Sequence, residues 1–286
     1  MTVRLRWLGC VCFEIVLPSG KVLLVDPFID YSVTAPITCQ EVTGADYIAL
    51  THGHYDHITD VGSLVERFHS KVICSHQVAE PLAKLFNLKN ADMVRVTAGD
   101  TVIANDLRVE VRKGEHINLG PVRRALSRQR SRQGNGRGQQ PLAEQGKNAH
   151  QAVGVRSKLS EIRERIREVG LDGGEQLTFV FQTGDNLRIG IYCSGCYQHL
   201  SDEVRAICPN ILCMQLGGNH PEQAAEIAAL SGAEIVIPMH HDSGGLEATH
   251  RLAQEMSQHL ASRSSARFLD VIHGKWYQIG VGVSPV

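Results

Sequence analysis

The chain reads His52-Gly53-His54-Tyr55-Asp56-His57 directly after an apolar run at residues 47–51. The apolar run predicts a buried strand, and the polar segment then lies at the strand's carboxyl end, where α/β proteins place their sites. Alternation puts His52 and His54 on one side of an extended chain, whereas Asp56 and His57 reach a neighbouring point around a tight turn. Imidazole and carboxylate are good ligands for zinc, manganese or iron. Four such ligands within six residues predict parts of two metal sites.

The pattern on both sides of this segment is rich in strands, with helices between them. Short apolar runs bounded by turn residues indicate strands, and apolar residues at helical spacing indicate helices at 61–68, 78–85, 221–230 and 246–260. We therefore predict an α/β fold with mixed sheets. Strands followed by helices occur before and after a central segment, which suggests two similar layered halves.

The central segment, residues 121–173, differs in composition from the rest of the chain. Residues 121–170 hold 12 lysines and arginines against four glutamates, whereas the whole chain of 286 residues has a net charge of -1. Residues 128–146 are almost devoid of large apolar side chains, which predicts a mobile loop. Leu159, Ile162, Ile166 and Val169 then recur at helical spacing. We predict one domain, 1–286, that carries a basic insertion made of a loop and an amphipathic helix.

Localisation and partners follow from what the sequence lacks. No window is apolar enough for a membrane helix, and the first residues carry no signal-like core, so we expect a cytoplasmic protein without a membrane partner. The near-neutral charge argues against a general nucleic-acid binder. A small anionic molecule is the expected partner, and a homo-oligomer stays open. The eight cysteines are then expected to be thiols or ligands rather than disulfides.

These motifs resemble the metallo-β-lactamase superfamily, whose hallmark is the sequence H-x-H-x-D-H. Trp7-Leu8-Gly9, Gly217-Gly218-Asn219-His220 and Ile237-Pro238-Met239-His240 resemble the branch that contains L-ascorbate-6-phosphate lactonases. The resemblance covers 1–122 and 174–286. It implies a four-layer αββα sandwich that holds two divalent metal ions, zinc first, with manganese or iron as alternatives.

The resemblance also implies which residues bind the metals. His52, His54 and His116 would hold one ion, and Asp56, His57 and His240 the other. Asp26, at the end of an earlier strand, would orient these ligands from behind. His241 is a rival for His240. Asp56 and His220 are the expected catalytic groups, although His220 precedes a helix and a capping role is an equal alternative.

The sequence departs from the family where an aspartate normally bridges the two ions. Cys196 stands at that place, and we expect it to be a ligand, with an empty or weak second site as the alternative. Asp185 is a further candidate, but a hairpin turn explains it better. Cys10 and Cys12 are expected to pack as small apolar side chains. Cys193 and Cys196 form C-x-x-C, a weak signal at a strand end.

The family's chemistry predicts a hydrolase in which a metal-bound hydroxide attacks an ester, lactone, amide or phosphoester. Two alternatives remain from the sequence. One is an iron-dependent redox enzyme with Cys196 as an unusual ligand. The other is a nucleic-acid phosphodiesterase that uses the basic insertion to grip phosphates.

Overall fold

The fold is that of a computed structural model, which describes residues 2–104, 107–117, 149–184, 186–242 and 246–280. The strands are β1 Thr2–Trp7, β2 Phe13–Val16, β3 Val22–Val25, β4 Tyr47–Ala49, β5 Lys71–Ser75, β6 Met93–Val96, β7 Thr101–Ala104, β8 Leu107–Lys113, β9 Leu177–Thr183, β10 Arg188–Tyr192, β11 Ile211–Gln215, β12 Ile235–Met239, β13 Arg267–Phe268 and β14 Tyr277–Gly280. The α-helices are α1 Tyr55–Ile58, α2 Val61–Phe68, α3 His76–Phe86, α4 Ala149–Glu168, α5 Ser201–Ile207, α6 Pro221–Leu230 and α7 Leu246–Ala261.

The strands form two seven-stranded mixed sheets with matching topology. The first has the order β14-β1-β2-β3-β4-β5-β6, and the second has the order β13-β12-β11-β10-β9-β8-β7. In the first sheet β14 to β3 pair antiparallel and β3 to β6 parallel. In the second, β7 to β10 pair antiparallel and β10 to β13 parallel. This correspondence confirms the prediction of two similar halves.

Alternation along the strands sorts the apolar side chains into layers. In β3, Leu23 and Val25 join the core between the two sheets, whereas Leu24 points outward to α2 and α3. In β10, Ile189 and Ile191 face the inter-sheet core, and Tyr192 faces the helices of the second half. In the described residues, helices thus pack on the outer face of each sheet, which is the αββα sandwich that was predicted.

The helix of the predicted insertion packs on the first half. Ile162 and Ile166 of α4 are buried in the core that α2 and α3 cover, together with Leu171. A helix therefore lies where the sequence predicted the amphipathic helix of the insertion. The preceding stretch, 118–148, which holds the whole of the predicted loop at 128–146, lies outside the described residues.

In the described part of the chain, no helix combines the length and the apolar character needed to cross a membrane.

Candidate metal centre

The predicted ligands converge because several strands end at one edge of the sandwich. β1 and β3 run in the same direction as β4, since each is antiparallel to β2 or parallel to its neighbour. The loops after β1, β3 and β4 therefore emerge together. In the second sheet the ends of β8, β10, β11 and β12 meet in the same way. This is the carboxyl edge at which open α/β sheets bind ligands.

The first group of potential ligands consists of His52, His54 and His116. One ring nitrogen from each lies within 4.8 Å of the others. His52 Nε2 lies 2.9 Å from His54 Nδ1. His116, which follows β8, brings its ring centroid to 4.6 Å from that of His54. The two halves of the molecule thus combine to form one three-histidine group.

The second group contains Asp56, His57 and His240, and it also includes Cys10. Asp56 Oδ1 lies 3.8 Å from His57 Nε2, and Asp56 Oδ2 lies 3.8 Å from His240 Nε2. The ring centroids of His52 and His57 are only 4.0 Å apart, so the two groups adjoin. The structure therefore brings all six histidine and aspartate ligands that the sequence predicted into one cluster.

Asp26 lies behind this cluster, as the sequence predicted. Its Oδ2 accepts hydrogen bonds from the Thr51 hydroxyl at 2.6 Å and from His57 Nδ1 at 2.8 Å, and its Oδ1 accepts from the Thr51 amide at 2.7 Å. With Nδ1 engaged by this carboxylate, His57 presents Nε2 to the cluster.

Burial sets the charge of the cluster. It lowers the pKa of His52, His54 and His240, and neighbouring histidines lower each further. Burial also disfavours the charged form of His57, but Asp26 and Asp56 outweigh it and raise the pKa of His57. The pKa of Asp56 is lowered: burial acts against this, but His57 and His240 outweigh it. The neutral imidazoles of His52, His54 and His240 beside the ionised carboxylate of Asp56 are ligands that suit a divalent transition metal. His57 must release its proton to join them.

A close backbone contact positions His240. The residue has a positive φ of 61°, and its amide donates to the Cys10 carbonyl at 2.8 Å. A Cβ atom on Gly217, in the loop after β11, would overlap the His240 carbonyl oxygen. Only glycine at 217 therefore permits this strand end to approach the loop that presents His240.

His241, the rival of His240, lies outside the cluster. Its ring stacks on Trp7 with a centroid distance of 5.2 Å and an interplanar angle of 7°. Burial lowers the pKa of His241 to about 4. The geometry thus agrees with the choice of His240.

The assignment of Cys196 is corrected by the structure. Cys196 packs toward the outer helices of the second half, and among the described residues its thiol belongs to no group of potential ligands. Cys193 instead forms such a group with His52 and His57. The reason is strand parity, because Cys193 continues the inward face of β10 after Ile189 and Ile191.

Cys10 departs from expectation in the same way. Cys12 packs in the outer core of the first half, as expected for an apolar thiol. Cys10 Sγ, in contrast, lies 3.6 Å from His240 Nε2 and 3.9 Å from Asp56 Oδ2. A positive φ of 50° in the turn after β1 turns this thiol toward the cluster.

Sequence reasoning missed Asp242, which supports the Cys10 turn. This buried carboxylate accepts hydrogen bonds from the Cys10 amide at 3.0 Å and from the Thr34 hydroxyl at 2.7 Å. His273 Nε2 lies 3.3 Å away. Burial opposes ionisation of Asp242, but the bonds from His273, Cys10 and Thr34 hold its pKa well below the usual range. The one signal available was its place two residues after His240.

The catalytic assignment of His220 is also corrected. His220 is exposed and caps the N-terminus of α6, where its Nδ1 accepts a bond from the Glu222 amide at 3.4 Å. It does not line the cavity over the cluster. The capping role left open by the sequence is the one found. Asp185 lies outside the described residues.

A cavity of about 530 Å³ opens over the cluster. Arg163 and Arg167 of α4 line one side, and Gly217 and Gly218 line another. The Arg163 guanidinium lies 4.3 Å from the ring centroid of Tyr55. The basic insertion thus contributes two cations to the space next to the potential ligands.

A second cavity, of about 790 Å³, lies among α2, α3 and α4 and contains none of the predicted ligands. Asp30, Cys39 and Asp60 are grouped beside it. Their polar atoms are used locally: Asp60 accepts from the Ile29 amide at 2.6 Å and from Cys39 Sγ at 3.4 Å. We therefore place the candidate site at the histidine cluster, where the ligand chemistry lies, and not in the larger cavity.

The fold and the cluster define a metallo-β-lactamase fold with a two-part metal-ligand set, and comparison with known proteins agrees. The family model described as Beta-lactamase superfamily domain matches residues 21–158. A metallo hydrolase, Igni18 from Ignicoccus hospitalis, superimposes with a TM-score of 0.68 at 16% identity, over 99% of this chain and 100% of that chain. CmlA, a diiron β-hydroxylase from Streptomyces venezuelae, superimposes with a TM-score of 0.60 at 12% identity, over 98% of this chain and 54% of that one. The chain therefore has the metallo-β-lactamase fold, and residues 21–158 are similar to the superfamily's domain model.

The chain is also similar in sequence to proteins described as UPF0173 metal-dependent hydrolases. The relative from Koribacter versatilis is 30% identical over 114 residues, which are 40% of this chain and 48% of the relative. The relative from Archaeoglobus fulgidus is 35% identical over 82 residues, 29% of this chain and 34% of its own length. The chain thus spans half or less of the length of these two relatives.

Proposed function

We propose that this protein is a metal-dependent hydrolase. The observation that carries the proposal is the convergence of His52, His54 and His116 with Asp56, His57 and His240 beneath one open cavity. The description of the similar sequences as metal-dependent hydrolases supports it. Within the superfamily we keep the L-ascorbate-6-phosphate lactonase branch as the finer assignment, on the motifs around Trp7, Gly217 and His240.

The donor set suits two divalent ions, one held by the three-histidine group and one by the group of Asp56, His57 and His240. Zinc fits neutral imidazoles best, and manganese or iron are the alternatives. When bound, such ions supply Lewis acidity and lower the pKa of water toward neutrality. Asp26 fixes the orientation of His57. Asp56, whose side chain is partly exposed and lines the cavity, is the group we assign to accept a proton.

The substrate that we propose is a small anionic molecule with an ester, lactone, amide or phosphoester bond. Arg163 and Arg167 offer guanidinium donors along the cavity, and planar guanidinium groups suit carboxylate and phosphate. A cavity of this volume suits a small ligand. We propose a cytoplasmic location and no membrane or nucleic-acid partner, with a homo-oligomer as an open possibility.

The test combines metal content with turnover. Protein purified without chelator is analysed for metals and assayed on a panel of anionic esters, lactones, amides and phosphoesters. His116→Ala should lower turnover by about 100-fold or more, since metal ions supply several kcal/mol of transition-state stabilisation. His199→Ala is the matched control, because His199 is an exposed histidine that pairs with Glu115 outside the ligand groups. Full turnover in His116→Ala, or none by the metal-loaded wild type, would contradict the proposal.

A second candidate is an iron-dependent redox enzyme. Two thiols, Cys10 and Cys193, lie within the ligand groups, and the fold is shared with a protein described as a diiron β-hydroxylase. This reading predicts two equivalents of iron per chain and a visible absorption band. Zinc or manganese in the purified protein, together with hydrolysis in air-free buffer, would reject it.

A further inference from the structure

Two thiols, Cys10 and Cys193, lie within groups of potential metal ligands, and in the described part of the chain Asp56 is the one carboxylate in the groups that contain them. We propose that Cys193 bridges the two ions as a thiolate and that Cys10 is a terminal thiolate ligand of the ion held by Asp56, His57 and His240. The inference rests on the metal binding assumed in the proposed function, and it assigns a sulfur-containing centre to this chain.

The position of Cys193 indicates a bridge. Its thiol is grouped with His52, from the three-histidine group, and with His57, from the other group. No other thiol in the described residues is grouped with one ligand from each side. The ring centroids of His52 and His57 lie 4.0 Å apart, and the two histidines would bind different ions. A sulfur close to both rings, as that of Cys193 is, could therefore bind both ions. Ions about 3.5–4 Å apart commonly share such a ligand.

The surroundings hold Cys193 in this place. Gln176 Nε2 donates to the Cys193 carbonyl and lies 3.4 Å from its sulfur. The Gln176 side chain is buried between β9 and the cluster, and it also lines the cavity. The strand end is therefore fixed by a side chain that touches the thiol itself.

Cys10 is grouped with the three residues that would hold the other ion, Asp56, His57 and His240. Its sulfur lies 3.6 Å from His240 Nε2 and 3.9 Å from Asp56 Oδ2. Asp242 holds the Cys10 amide and the His240 amide donates to the Cys10 carbonyl, so the turn is fixed at both peptide groups. A thiol needed only for packing would not require this support.

The other buried cysteines show what packing alone looks like. Cys12, Cys74 and Cys213 are enclosed in the apolar cores and belong to no ligand group among the described residues. Cys10 and Cys193 also lie in an apolar core, but their thiols are grouped with imidazoles, and that of Cys10 with a carboxylate as well. Thiolate is a softer ligand than carboxylate, so the centre should favour zinc or iron over manganese.

The experiment is cobalt substitution followed by absorption spectroscopy, which reports cobalt–sulfur bonds directly. Wild-type protein with two cobalt ions should show a near-ultraviolet thiolate charge-transfer band. A bridging sulfur makes two of the three bonds, so Cys193→Ser should remove roughly two thirds of the band and Cys10→Ser roughly one third. Cys196→Ser, a half-buried cysteine just beyond the site, is the control and should leave the band intact.

A carboxylate variant keeps the test decisive if a serine variant binds cobalt poorly. Cys193→Asp restores an anionic ligand, so it should retain two cobalt ions and still lose the bridging part of the band. Full cobalt occupancy of the wild type without a charge-transfer band overturns the inference while leaving a metal-dependent hydrolase intact. An unchanged band in Cys193→Ser or Cys193→Asp overturns the bridge. Failure of the wild type to bind cobalt at all overturns this inference and the proposed function together.

Discussion

A single carboxylate, Asp26, determines how His57 presents its ring to the metal centre. In Asp26→Asn the side chain keeps one oxygen that can accept a hydrogen bond from Thr51, instead of two. His57 Nδ1 also loses its negatively charged partner. Loss of a carboxylate behind a histidine ligand weakens metal binding by about 10–100-fold. Competition with a chromophoric chelator measures this affinity.

Asp46→Asn is the matched control for that prediction. Asp46 Oδ2 also accepts a backbone hydrogen bond, from the Val22 amide at 2.8 Å, but it lies at the opposite end of the strands from the cluster. The metal affinity of the Asp46→Asn variant should equal that of the wild type. Equal weakening in both variants would show that the effect is a general loss of stability.

Gly217 permits the close approach that positions His240. In Gly217→Ala the added Cβ overlaps the His240 carbonyl oxygen, so the loop must move. Such overpacking costs about 1–3 kcal/mol of stability, and it displaces a ligand of one ion only. Elemental analysis should show two metal ions in the wild type, as proposed, and one in the variant.

Gly184→Ala provides the comparison, because a Cβ at Gly184 meets no atom within 4 Å. It should retain both ions. A Gly217→Ala protein that keeps both ions with unchanged affinity would refute the role of the close approach.

At the scale of single residues, sequence reasoning identified the candidate ligands that lie close together in the sequence. It failed where the choice of ligand depends on the direction in which a side chain points. The spacing of His52, His54, Asp56 and His57 is short enough to be determined by one turn. Cys193 and Cys196 are three residues apart. The choice between them depends on where β10 ends and on which face of the strand each side chain occupies. Asp242 acts on Cys10 across 232 residues of sequence, and no local pattern announces such a pairing.

At the scale of elements, helix α4 joins the basic insertion to the site. Arg163→Ala should raise KM for an anionic substrate by about ten-fold, which corresponds to about 1.4 kcal/mol of lost binding. The value of kcat should change less, because the ligand groups are untouched. Steady-state kinetics on the best substrate of the panel give both constants.

Lys158→Ala removes a positive charge from the same helix, but Lys158 lines the other cavity. It should leave KM unchanged. An equal rise of KM in both variants would indicate a general effect of charge rather than a contact in the cavity.

Strands β8 and β10 of the second sheet are tied together by Glu110 and Arg188, which make two parallel bonds at 3.0 and 3.2 Å. The bond from Arg188 lowers the pKa of Glu110 to about 2, although partial burial opposes this. A lowered carboxyl pKa contributes stability above its unfolded value, about 4.3, and that stability is lost as pH falls through about 2.

Glu110→Gln should therefore destabilise the protein at neutral pH by about 1–2 kcal/mol, and the difference should vanish as the pH approaches 2. Urea unfolding at several pH values measures it. A difference that persists unchanged in acid would mean that the side chain acts through packing and not through charge.

Element boundaries show the limits of sequence pattern. Long apolar runs and amphipathic periods predicted the strands of both sheets and helices α2, α3, α6 and α7. The short helix α5 was missed, because its seven residues span two turns and leave little periodicity to detect. Its buried contacts, Val204 and Ile207, are defined only by the sheet beneath it.

Considered as a whole, the molecule places its candidate metal centre between its two halves. His52, His54, Asp56 and His57 follow a strand of the first sheet, and His116 and His240 follow strands of the second. Each ion position takes ligands from both sheets. Charge, in contrast, is not shared evenly along the chain. Basic residues are concentrated in residues 121–170, so the rest of the chain is acidic.

Metal binding should therefore stabilise the whole fold rather than one loop. A ligand that binds only the folded state adds RT ln(1 + [L]/Kd), about 4 kcal/mol when the free ion is at 1,000 times Kd. Removing the ions with a chelator should lower Tm in a single cooperative step, since both sheets lose a shared contact. In the double variant His116→Ala/His240→Ala, which removes every ligand of the second sheet among the six, the chelator should change Tm far less. Calorimetry with and without chelator measures both effects. Two separate transitions in the chelated wild type, or an equal loss of Tm in the double variant, would show that the ions do not join the halves.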